Sequence, residues 1–133
     1  MYLSSFKSCA VALVAALLVT GTVSAADAPV PAHKWRVEFT GQSTAAGEMQ
    51  FRVSGHEGEP LMVTVKINSG RGAYLMAQDL FEALKAQLPK KRFGAEIVHG
   101  QEVLVKPHSG EPDFVFELVE SSVTGARVHI TPA

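Results

Sequence analysis

A chain of 133 residues carrying twelve Lys and Arg against thirteen Asp and Glu has a formal net charge of −1. That balance excludes the one-sided basic excess that nucleic-acid binding demands, and the interspersed signs describe a soluble, generic surface. The length holds one domain of ordinary size.

The first 25 residues form a separate segment. Lys7 is their only charge, Cys9 to Val19 is an almost unbroken apolar run, and Val23-Ser24-Ala25 supplies small residues ahead of Ala26. This is the pattern of a cleaved secretory signal peptide. A membrane-spanning helix needs roughly 20 apolar residues, whereas this run is interrupted by Thr20, Gly21 and Thr22, so stable membrane insertion is not expected after cleavage. Cys9 is the only cysteine, which leaves a mature chain of 108 residues without a thiol and with eleven basic against thirteen acidic side chains. Such a chain enters an oxidising compartment with no disulfide and must persist by burial alone, covering about two thirds of its unfolded surface.

Residues 26–33, "ADAPVPAH", contain two prolines and little to bury, and are expected to be a flexible tether ahead of a single domain over 34–133. "KWRVEFT" then alternates, with Trp35, Val37 and Phe39 on one side, as a half-buried strand does. After "GQSTAAG", the stretch "EMQFRVS" repeats the device with Met49, Phe51 and Val53, and the two strands are expected to pair as an antiparallel hairpin. Following "GHEGEP", the run "LMVTVKI" faces Leu61, Val63, Val65 and Ile67 inward.

The period then lengthens. Ala73, Ala77, Leu80, Phe81, Leu84 and Leu88 recur at helical spacing, and Pro89 stops the helix. "RFGAEIV" and "EVLVK" flank "HGQ" as a hairpin, with Phe93, Ala95, Ile97, Val103 and Val105 inward, and "FVFELVE" and "ARVHI" form a last pair of strands around "SSVTG". One helix covers one side of a sheet. The expected fold is therefore α+β, a two-layer arrangement of a mainly antiparallel sheet, in order β-β-β-α-β-β-β-β, with the amphipathic helix on one face.

The glycines of "KINSGRGAYLMAQDL" sit between a strand and a helix, where phosphate loops occur. A phosphate loop also needs a Lys-Ser or Lys-Thr pair after glycines five apart, and a dinucleotide loop needs a third glycine where Leu75 stands. Neither is present. The turn instead redirects the chain, with Asn68 or Ser69 as helix cap and Arg71 as a residue able to hold a surface anion.

Five histidines, His33, His56, His99, His108 and His129, follow the leader without metal-ligand spacing. His99 and His108 flank the strand that carries Val103, and a tight hairpin would bring them near each other. No serine lies on a nucleophile elbow, the nearest suggestion being Ser54 before Gly55-His56, and the pairs Glu57 with Glu59 and Glu111 with Asp113 sit in turns as solvated charges. Lys90-Lys91-Arg92 suits the negative end of the helix dipole and offers a short basic cluster for an acidic partner.

Residues 61–119, a strand ending in Ile67-Asn68, a glycine turn, an Ala-rich helix and a hairpin running into "PDFVFELVES", resemble the small repeated module called the IN motif in flagellin and hook-associated proteins. The chain departs from that family in its leader and in lacking long terminal helices. In layout it is similar to small exported bacterial proteins of no assigned activity, which implies an envelope location and transfers no site residue.

The function expected is that of a non-enzymatic exported domain, periplasmic or secreted, that contacts another envelope or extracellular protein. Arg71, Lys90, Lys91, Arg92, His99 and His108 are its candidate interaction residues, and no cofactor, catalytic group or metal ligand is assigned. The alternative is a small-ligand or metal carrier using histidines and loop carboxylates. A small hydrolase, or an inhibitor of one, has no positive feature beyond size and location.

Overall fold

Among the described residues, alternation of large apolar with polar side chains produces seven strands, and a 3.6-residue period produces one helix. A computed structural model describes residues 30–55 and 59–133 and places them as β1 Trp35–Gly41, β2 Gly47–Ser54, β3 Leu61–Ile67, α1 Ala73–Gln87, β4 Phe93–Val98, β5 Glu102–Pro107, β6 Val115–Ser121 and β7 Ala126–Pro132. The expected leader with Cys9, the start of the tether, His56 and Glu57 lie outside the described residues. From Pro31 onward the chain is one folded unit. Among the described residues no helix is long and apolar enough to cross a membrane.

The element order is the expected one, and all pairings between strands are antiparallel. The strands nevertheless form two sheets where one was expected, in the orders β4-β5-β1-β7 and β3-β2-β6. β1 and β2 are not a hairpin, nor are β6 and β7. β1 pairs with β5 and β7, while β2 pairs with β3 and β6. The expected hairpins β2-β3 and β4-β5 are present.

The reason lies in the segments between them. Gly41 and Gly125 both have left-handed backbones, at φ 84° and 85°, and they face each other where β1 ends and β7 begins. A Cβ on Gly41 would lie 2.5 Å from the carbonyl oxygen of Gly125, and one on Gly125 would lie 2.4 Å from that of Gln42. Only glycine fits either position. Across this corner Gln42 N–H donates to Gly125 O, Thr44 N–H to Thr124 O, and Ser122 N–H to Glu48 O. Two stretches, β1 through β2 and β6 through β7, therefore run side by side and turn together from one sheet into the other, as strands do when they form the corner of a packed β structure.

Both sheets feed one core. Trp35, Val37, Phe39, Val103 and Val105 from the first meet Met49, Phe51, Val53, Val63, Val65, Ile67 and Phe116 from the second. Phe51 stacks on Phe116 with ring centroids 5.3 Å apart, and Phe93 meets Phe114 edge-on at 5.2 Å. The indole N–H of Trp35 donates to Phe114 O at 2.7 Å, so the one polar atom of that buried ring is satisfied. Ala32, placed in the tether by its composition, exchanges two backbone hydrogen bonds with Phe114.

α1 packs against β3, β4, β1 and β5, and so contacts both sheets. Met76, Ala77, Leu80 and Leu84 are its buried residues. Phe81, expected among them, is half-buried under the Lys85 ammonium, 5.0 Å from its ring, and Met76 takes the inward place because the helix is wedged between two sheets rather than laid on one. Leu80→Ala should lower the unfolding free energy by about 2–5 kcal/mol. Phe81→Ala should cost less than Leu80→Ala, and chemical denaturation of the two variants checks both the size and the order.

Candidate functional site

The glycine turn is tied to the corner beside it. Ser43 is the only buried polar residue among those described, and it sits under residues 68–71. Its hydroxyl donates to Asn68 O at 2.6 Å and accepts from Arg71 N–H at 2.8 Å. Its N–H donates to Arg71 O, and its carbonyl accepts Gly70 N–H at 2.7 Å. The amides of Gly70 and Arg71 are therefore spent on the protein itself. Gly72 is the N-cap residue and no side chain caps the helix, which corrects the expected role of Asn68 or Ser69. Arg71 is not open to an anion either. Its Nε and one terminal nitrogen grip both oxygens of Asp79, at 3.1 and 2.8 Å.

The histidines do not assemble. His33 lies 3.6 Å from Asp113, His99 lies 3.7 Å from Glu102, and the His108 ring rests over Gly94. Among the described residues no three His, Cys, Asp or Glu side chains come together in a way that could hold a metal ion. Of the loop carboxylates, Glu111 pairs with Arg92 at 3.3 Å, while Asp113 faces His33.

A groove does form, between α1 and β4. β4 is the outer strand of its sheet. His108 N–H donates to Arg92 O, and the antiparallel alternation from that bond onward turns Gly94, Glu96 and Val98 toward β5. Ala95 and Ile97 consequently present their N–H and C=O groups at the outer edge, with no strand among the described residues to receive them. Alongside that edge Leu84, Lys85, Leu88, Lys90, Phe93, Gly94 and Ala95 enclose a recess of about 90 Å³. At the far end of α1 the Tyr74 ring lies against Gly100, whose left-handed backbone closes the β4-β5 turn. The helix thus runs antiparallel to β4, with the recess toward the Lys90 end and Tyr74 at the other. Tyr74 is 63% exposed and Ile97 37%, so the apolar surface continues past the recess.

The second sheet manages its corresponding edge differently. Gln87, at the end of α1, donates to Thr64 O at 2.8 Å and accepts Thr64 N–H at 2.9 Å. A side-chain amide there does what a neighbouring strand would do. Among the described residues β4 has no such cover.

Of the sequence candidates, Lys90 lines the recess, and Arg92 and His108 stand beside it, Arg92 over the Phe93 ring at 5.3 Å. His99 stands in the β4-β5 turn at the other end. Arg71 belongs to the corner. Sequence reasoning missed Lys85, Tyr74 and Ile97 as groove residues. Tyr74 and Lys85 share one side of the helix, at i and i+11, and Ile97 was assigned to the interior because alternation does not say where a sheet ends. The outer face of β2 and β6 carries a further recess of about 110 Å³, lined by Glu48, Gln50, Glu120 and Ser122, which has no apolar floor.

No protein-family model, curated protein or solved structure matches the chain, so its function is drawn from geometry alone. Ser43→Ala removes a buried hydroxyl and leaves the Arg71 amide without its acceptor, and should cost about 1–3 kcal/mol in chemical denaturation.

Proposed function

We propose that the protein is an exported, non-enzymatic binding domain, periplasmic or secreted, that takes another envelope or extracellular polypeptide as an added strand on β4. The observation that carries this is the open edge of Ala95 and Ile97 lying directly beside an apolar recess. Backbone hydrogen bonds along such an edge supply affinity, and a neighbouring pocket reads alternate side chains. The leader at 1–25 supports delivery outside the cytosol.

The other free edges suit this use less. β6 pairs with β2 through a register irregularity between Gln50 and Phe51 and carries Glu117 and Glu120. β7 ends in Pro132, has Arg127 and His129 along it, and lines no such recess. Irregular, charged or proline-bearing strands resist pairing with another chain. β4 is regular in register over all six of its residues.

Ala95→Pro removes an outward N–H and leaves the β5 ladder intact, so the variant should fold as the parent does. Capture from envelope extract by the parent protein should be lost in Ala95→Pro, with circular dichroism confirming that the variant is folded. Equal capture by both proteins, or capture by neither, overturns the reading.

A further inference from the structure

The groove also carries information about the sequence it accepts. We infer that its occupant is an extended segment of another polypeptide, apolar at three alternate positions and acidic at its carboxy-terminal end, bound antiparallel to β4; this rests on strand addition at that edge.

The spacing sets the apolar positions. Residues facing one side of a strand recur about every 6.6 Å, and the edge from Phe93 to Ile97 is about 13 Å long. That length admits three side chains of an added strand on the groove side. The first enters the recess at Leu84, Leu88 and Phe93, the second lies over Ala95 toward Phe81, and the third rests on Ile97 and Tyr74. A recess of about 90 Å³ takes a valine or leucine side chain.

Charge sets the direction. Lys85 and Lys90 both line the recess, Lys91 follows, and among the described residues none of the three makes an ion pair. At the Tyr74 end Glu102 lies 3.4 Å from Arg36 and 3.7 Å from the His99 ring, and no lysine stands there. The groove is therefore cationic at the beginning of β4 and not at its end. Antiparallel addition, the more stable pairing, puts the carboxy-terminal end of the guest beside the lysines. The carboxylate there is either a side chain or the terminal group of the chain, and both meet the same ammonium groups.

A fluorescent nonapeptide with leucine or valine at three alternate positions, threonine between them and Asp-Glu at its end tests this by anisotropy. It should bind the protein about tenfold more tightly than the same peptide ending in Lys-Lys, and the order should invert for Lys85→Glu/Lys90→Glu. An amidated form that binds as well assigns recognition to the acidic side chains, and one that loses the preference assigns it to the chain terminus; either supports the inference. Equal binding of acidic and basic peptides, with both abolished by Ala95→Pro, overturns the charge rule and leaves strand addition standing. Binding that survives Ala95→Pro defeats strand addition itself. Tighter binding of the peptide with its acids moved to the amino-terminal end overturns the direction. Dimerisation of the protein alone, abolished by Ala95→Pro, makes the occupant a second copy and overturns the inference.

Discussion

The corner between the two sheets is the constraint on which the rest of the molecule depends. Two stretches of chain turn there together, and the turn is possible because Gly41 and Gly125 meet with left-handed backbones and no side chains between them. Ser43 then ties residues 68–71 to the bend with its hydroxyl, its N–H and its carbonyl. A buried hydroxyl is tolerated at this place because its O–H donates to Asn68 O and its oxygen accepts the Arg71 N–H. With the corner fixed, β1 and β2 diverge instead of folding back on one another, and their apolar faces enclose a common interior.

That divergence gives the helix its role. α1 contacts β3 in one sheet and β4 in the other, and Met76, Ala77, Leu80 and Leu84 fill the space between. Cys9 is the only cysteine of the chain, so no disulfide within it braces this arrangement. Its stability comes from apolar packing of both sheets and the helix into one cluster, with ion pairs such as Arg52–Glu117 and Lys106–Glu96 at the partly exposed surface, where their contribution is small.

A helix set between two sheet edges can reach one more than the other. Gln87 reaches Thr64, midway along β3, and satisfies both of its outward backbone groups. Among the described residues no side chain does this for Ala95 and Ile97, and the gap on that side is floored by Leu84, Leu88 and Phe93. An uncovered edge beside apolar surface is ordinarily a hazard for aggregation, which most proteins suppress with charge, proline or irregularity. On the binding role proposed, the lysines along the recess both deter indiscriminate pairing and favour an acidic guest. The proposed binding role follows from this asymmetry between the two edges.

The order of elements, the inward residues of β1, β2 and most of β3, the helix and the hairpins β2-β3 and β4-β5 were all legible along the chain. The faces rest on neighbours two, three or four residues apart, whose side chains lie together whatever the rest of the molecule does. The partners of β1 were not legible, because "GQSTAAG" suits a hairpin loop as well as a corner, and what distinguishes them is contact with Gly125 and Asn68, 84 and 27 residues after Gly41. The groove was hidden for the same reason. Lys90 stood out as part of a basic run, but Lys85, Tyr74 and Ile97 acquire a common purpose only once the helix lies along β4, and Arg71 loses its apparent purpose once Asp79 holds it. Local periodicity determined the pieces of this protein, while contacts between residues far apart in the chain decided which strand edge was left open.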